Sequence, residues 1–169
     1  MPELRDLYDL NRQLTGETLV VGSPIPPQRY INVVLIFIQN SRGEFLIQRR
    51  TMQRNGLYAT TGGHPKHGET SLQGAVTEVA EELGLNIAPE QLQLFYSGRS
   101  DEEQVFWDDY YIQLDADISD LKLQADEVAS AHWFSAAQIR KLYEQDEFMP
   151  DHYDEFLRLQ DWLKEKRMI

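Results

Sequence analysis

The sequence predicts an α+β fold in which a mixed β-sheet lies between helical layers. Three observations carry that expectation. β-rich runs occupy the N-terminal part, one amphipathic segment with three- and four-residue apolar spacing follows, and further strands then give way to two late helical segments. The 169 residues are 41% hydrophobic and 26% charged, a balance that belongs to a folded chain rather than a disordered one. That length suits one domain over residues 1–169: an N-terminal hairpin and Pro-rich loop at 1–29, a core at 30–145 and a C-terminal helix at 150–167.

Residues 3–21 alternate loosely around Asn11-Arg12-Gln13 and Gly16, which reads as a β-hairpin. Three prolines between Pro24 and Pro27 make the next stretch a loop. Ile31–Gln39 and Glu44–Arg49 are β-rich and joined by Asn40-Ser41-Arg42-Gly43, a hairpin turn signal. The Gly-rich residues 56–68 read as loop. Leu72, Ala75, Val76, Val79 and Leu83 then mark an amphipathic helix with an N-cap at Thr70 or Ser71 and a C′ glycine at Gly84. Leu92–Tyr96, Val105–Leu114 and Ala131–Phe134 read as strands, Ser135 as an N-cap, and Ala136–Tyr143 and 151–167 as helices.

Composition excludes several function classes. Without cysteine there is no disulfide, thiolate nucleophile, Cys-ligated zinc or iron–sulfur cluster. A net charge of −12 repels phosphate backbones, so no nucleic-acid partner is expected. The longest aliphatic and aromatic run, Val33–Ile38, is six residues, so no membrane association is expected, and the N-terminus has neither the basic nor the apolar region of a secretory signal. A cytoplasmic location is the expectation.

The chemistry is concentrated in one segment. Glu78, Glu81 and Glu82 stand at i, i+3 and i+4 and so share a helical face, in the last turns where the macrodipole disfavours anions. Charge pattern alone describes a solvated glutamate face, but hard divalent cations such as Mg²⁺ or Mn²⁺ would turn the same repulsion into a binding site. Spacing decides between these. Gly63, Glu69, Glu78, Val79, Glu81, Glu82, Gly84 and Leu85 fall on the pattern of the Nudix box, and only the arginine position departs, being Thr77. The sequence therefore resembles the Nudix hydrolase superfamily. The resemblance implies a Nudix-type α/β/α sandwich, Mg²⁺ or Mn²⁺ as cofactor, and hydrolysis of a pyrophosphate bond in a nucleoside diphosphate linked to another moiety.

The same resemblance implies Glu78, Glu81 and Glu82 as catalytic residues and metal ligands, with the general base on this helix or a later loop. Glu69, His64, Glu102, Glu103 and Glu127 are further candidates for the metal or the base. Arg49, Arg50 and Arg54, just before the box loop, are candidates to face phosphate, and Gly62 and Gly63 permit close backbone approach. Leu57–Pro65 with Gly68-Glu69 is also similar to isopentenyl-diphosphate isomerases. Their catalytic cysteine falls on Gly62 and only His64 matches a metal-ligating histidine, so isomerase chemistry is disfavoured. Thr77 cannot do the bidentate work of an arginine, which leaves a non-catalytic nucleotide- or protein-binding module as the alternative. Tyr58, Phe106, Trp107, Tyr110 and Tyr111 are open to base stacking or to core packing. The terminal helix bearing Trp162 is open to packing, a lid or a homodimer contact, with packing preferred.

Overall fold

The computed structural model describes residues 1–167. The chain opens with an antiparallel hairpin, β1 (Leu4–Tyr8) and β2 (Leu14–Val20), which forms its own small sheet. The main sheet has seven strands: β3 (Ile31–Gln39), β4 (Phe45–Arg50), β5 (Tyr58–Ala59), β6 (Thr61–Gly63), β7 (Gln93–Ser100), β8 (Val105–Gln113) and β9 (Val128–Phe134). It is mixed. β3 runs parallel to β8 over nine paired positions, whereas β3–β6, β4–β9 and β7–β8 are antiparallel.

Helix α1 (Ser71–Leu83) covers one face of this sheet, and α2 (Ala136–Glu144) and α3 (Pro150–Arg167) cover the other. Alternation along β3 sorts its residues between the two layers. Val34, Ile36 and Ile38 pack with Ala75, Val79 and Leu83 of α1, while Leu35 and Phe37 pack with Phe156 and Leu159 of α3. Burial on both faces explains why this strand reads as a continuous apolar run. Phe106, Tyr110 and Tyr111 are buried, and Trp162 packs against Phe95 and Tyr111, so the terminal helix is packed onto the sheet.

The ends of α1 are where the sequence puts them. Thr70 Oγ1 accepts from the Gln73 backbone N–H at 3.2 Å and the Gln73 side chain accepts from Thr70 N–H at 2.8 Å, a reciprocal capping box. Gly84 takes the left-handed conformation (φ 70°) that a side chain resists, and its N–H caps Ala80.

The Gly-rich stretch corrects the loop expectation. Tyr58 and Ala59 pair with Arg49 and Gln48 of β4, and Thr61, Gly62 and Gly63 pair with Ile36, Leu35 and Val34 of β3. Composition says loop there, but tertiary pairing overrides it, because the glycines allow a backbone approach that no side chain could share. The acidic residues Asp101, Glu102 and Glu103 form the turn between β7 and β8.

Candidate active site

β6 runs directly into the loop that leads to α1, which brings Gly62, Gly63 and His64 against the glutamate face of that helix. Glu78 and Glu82 are buried at 9% and 4% exposure, although both are acids on a helix that also supplies Ala75, Val79 and Leu83 to the core. Among the described residues neither forms an ion pair. Glu82 Oε1 accepts from the Gly62 backbone N–H at 3.3 Å and from the Gln48 amide at 3.4 Å. A Cβ at Gly63 would stand 2.3 Å from the Glu78 carboxyl carbon, so the absence of a side chain there makes room for the acid. Glu81 is more exposed and is held by Lys66.

These carboxylates line a cavity of about 440 Å³ together with Arg5, Arg50, Arg54, Gln48, Gly62, Gly63, His64, Glu127 and His152. Burial pushes Glu78 up to about 7, with the charge of Glu81 adding to it, and pushes Glu82 up to about 8, with Glu78 adding. Burial drives His64 and His152 down to about 4, with the guanidiniums of Arg5 and Arg54 acting on the first and Arg50 on the second, so both are neutral at pH 7. The cavity therefore presents buried acids that no cation pairs directly among the described residues, walled by neutral imidazoles.

The residues singled out in the sequence divide clearly. Glu78, Glu81, Glu82, His64, Glu127, Arg50, Arg54, Gly62 and Gly63 all line this cavity, and Glu127 is paired with Arg54. Glu69 does not line it. Its carboxylate accepts from Thr77 Oγ1 at 2.6 Å and from the Lys66 backbone N–H at 2.7 Å, which ties the box loop to α1. Thr77, at the box's arginine position, thus fastens this loop through a hydroxyl. Arg49 turns away, donating to the Gly56 carbonyl at 3.1 Å and lying over the Tyr58 ring. Glu102 is exposed in the β7–β8 turn; Glu103 lines a neighbouring chamber of about 720 Å³ that shares Val33, Leu35, His64 and His152 with the first.

The lining residues that the sequence reading did not single out include Arg5, Gln48, Gln124 and His152. Two of them leave a signal. Gln48 is a buried polar residue inside an apolar strand. Arg5 stands at an inward position of the first hairpin, two residues before the buried Leu7 and opposite the buried Leu19. His152, at the start of α3, accepts the Thr60 backbone N–H at 3.2 Å and carries no pattern.

The donor set fits a hard divalent cation, since two buried carboxylates one helical turn apart supply oxygen ligands and unrelieved negative charge. As they stand, no three Asp, Glu or His side chains among the described residues are gathered closely enough to enclose one. The isomerase reading fits less well than the absence of cysteine alone implies. A Cβ at Gly62 would stand 2.6 Å from Leu35 Cδ2 and 2.8 Å from the Val34 carbonyl oxygen, so a side chain at that position has no room.

Comparison with known proteins agrees with this geometry. The family model described as the NUDIX domain matches residues 29–158. The chain is 35% identical over 150 residues to a Nudix hydrolase of Listeria monocytogenes, spanning 86% of this chain and 87% of the relative. It is 26% identical over 152 residues to an isopentenyl-diphosphate Delta-isomerase of Streptomyces coelicolor, spanning 86% and 77%. Among solved structures, DR0079 from Deinococcus radiodurans superposes with a TM-score of 0.71 at 18% identity, covering 88% of this chain and 94% of that one. No helix among the described residues is long and apolar enough to cross a membrane. A chain with this fold, this box and these relatives belongs to the Nudix hydrolase family.

Proposed function

We propose that this chain, hairpin, core and terminal helix acting as one Nudix domain in the cytoplasm, is a Mg²⁺- or Mn²⁺-dependent hydrolase. Its substrate is a nucleoside diphosphate linked to another moiety, cleaved at the pyrophosphate bond. One observation carries this reading: Glu78 and Glu82 are buried side by side without an ion-pair partner among the described residues, and they face a cavity that Arg50 and Arg54 also line.

Glu78 and Glu82 would hold the cation, and Glu81 joins them on leaving Lys66. The bound cation supplies neutralisation of the diphosphate and activation of water. The remaining work belongs to the chain. Arg50 donates to phosphate oxygens, and Gly62 and Gly63 let the substrate lie against the backbone of β6. Gly62 N–H holds the Glu82 carboxylate in place. The neutral His64 and His152 close the wall without adding charge. Water oxygen attacks phosphorus, the anhydride P–O bond breaks, and the water proton passes to a carboxylate of this wall, either on α1 or Glu127. Two phosphate-bearing products leave.

A hydrolysis screen of nucleoside diphosphate derivatives with Mg²⁺ or Mn²⁺ tests the proposal. Phosphate-ester products that depend on the cation are expected. A screen in which no derivative is cleaved with either cation contradicts it.

A further inference from the structure

The hairpin before the matched family segment does more than pack. Alternation along β1 puts Arg5 and Leu7 on one face, and Leu7 is buried with Leu19 and Ile31. An apolar residue would continue that face, yet the chain places a guanidinium there. Among the described residues the Arg5 side chain forms no hydrogen bond or ion pair, and its Nε is buried without an acceptor. Burial lowers its pKa, and the nearby charges of Glu3 and Glu78 raise it. A half-buried cation left unpaired is costly to a fold, so stability gives no reason for it to be there.

Its position is nevertheless defined closely. The Leu4 carbonyl accepts from His67 N–H at 2.9 Å. The Asp6 carboxylate accepts from Gly68 N–H at 2.9 Å and meets His67 Nδ1 at 2.6 Å. Both residues flanking Arg5 are thus fixed to the box loop itself. At the far end of the hairpin, Arg12 grips Asp108 through two bonds of 2.9 and 2.7 Å, and Tyr8 and Tyr30 exchange backbone hydrogen bonds at 2.9 Å. The side chain held between these anchors lines the same cavity as Glu78 and Glu82.

We infer that the N-terminal hairpin is part of the active site and that Arg5 is a ligand of the substrate's diphosphate. The inference rests on the diphosphate reading above. The donors of the Arg5 guanidinium, which have no acceptor on the protein among the described residues, match phosphate oxygens in geometry and charge. The box position that calls for arginine is Thr77, so α1 brings no guanidinium of its own; Arg5 brings one from β1.

The test is calorimetric and needs no turnover. Mn²⁺ alone, and then methylenediphosphonate in the presence of saturating Mn²⁺, are titrated into the parent, Arg5→Gln and Arg5→Lys proteins. Arg5→Gln should bind Mn²⁺ as the parent does but methylenediphosphonate about 10-fold or more weakly, and Arg5→Lys should recover part of the loss. Equal diphosphonate affinity in parent and Arg5→Gln would overturn the inference. So would a loss confined to Mn²⁺ binding, because Arg5 would then serve only to steady Glu78. A parent that does not bind the diphosphonate also overturns it. Failure of the hydrolysis screen with diphosphonate binding and its Arg5 dependence intact would instead count against the substrate reading alone.

Discussion

Two pairs of buried acids sit in this molecule, and their fates differ. Glu78 and Glu82 share one helix face and open into a cavity. Asp109 of β8 is wholly buried against Glu155 of α3, on the sheet face that α3 covers. Burial raises Asp109 far above the usual carboxylate range, and the Glu155 carboxyl beside it pushes the same way. Arg158 lies 3.2 Å from Glu155 but forms no ion pair with Asp109. Both pairs face the same problem, negative charge held largely away from water. In the first pair a cation can enter from solvent; in the second Glu155 borders the neighbouring chamber, but Asp109 is wholly enclosed and a proton has to neutralise it. Access separates a site from a structural acid pair, since burial is common to both.

The largest expected effect separates the two pairs by activity. Glu82→Gln and Glu78→Gln should each lower kcat by about 100-fold or more, because several kcal/mol of charge stabilisation would be lost. Asp109→Asn should leave turnover within about 3-fold, as a substitution away from the reacting atoms. Steady-state kinetics on the best substrate from the screen measures both. Equal losses at the two pairs would erase the distinction.

Stability against pH gives the next test. A carboxyl whose folded pKa is raised favours folding while protonated, so its contribution is complete below about 4.5 and fades as pH rises. For Glu78 and Glu82 the loss runs through about 7 and about 8. The metal-free protein should therefore be less stable at pH 8 than at pH 5.5, by several kcal/mol at about 1.4 kcal/mol per pKa unit. His64 and His152 offset this in part, since their lowered pKa favours folding as pH rises to about 6.5. Denaturant melts in EDTA should show this decline, and Mn²⁺ should flatten it by favouring the ionised pair. A flat metal-free profile would contradict the burial of these acids.

Asp109→Asn should narrow the same decline from the other side of the sheet. Removing an acid that must stay protonated should stabilise the protein by about 1–2 kcal/mol at pH 8, with little gain at pH 5.5. Thr77→Val is the smallest effect. It removes the hydroxyl that ties Glu69 to α1 and should cost about 1 kcal/mol in an equilibrium melt.

The contrast between the pairs also explains what could be read in advance. The Glu78–Glu81–Glu82 face was legible because a helix repeats locally, so three residues in one short segment disclose a shared surface. Thr70 and Gly84 were legible for the same reason, as caps act within a turn. Asp109 and Glu155 lie on different elements, and nothing local announces that the two meet. Arg5, His152 and Gln48 reach the cavity only through long-range docking of β1, α3 and β4. The strands at Tyr58–Ala59 and Thr61–Gly63 were hidden by glycine content, since their pairing is dictated by β3 and β4 and not by their own propensity. Glu69 matched a box position and still turned out to fasten a loop; spacing locates a residue without stating which neighbour its oxygens will choose.

The most direct test of the whole account is Mn²⁺ binding to the folded protein, read as a shift in melting temperature at pH 7.5. If the buried carboxylates of α1 form the cation site, Mn²⁺ at about 100 times its Kd should stabilise the parent by about 2.7 kcal/mol. Glu78→Gln and Glu82→Gln should each lose most of that shift. A parent unmoved by Mn²⁺ through the millimolar range, or variants that keep the full shift, would contradict it.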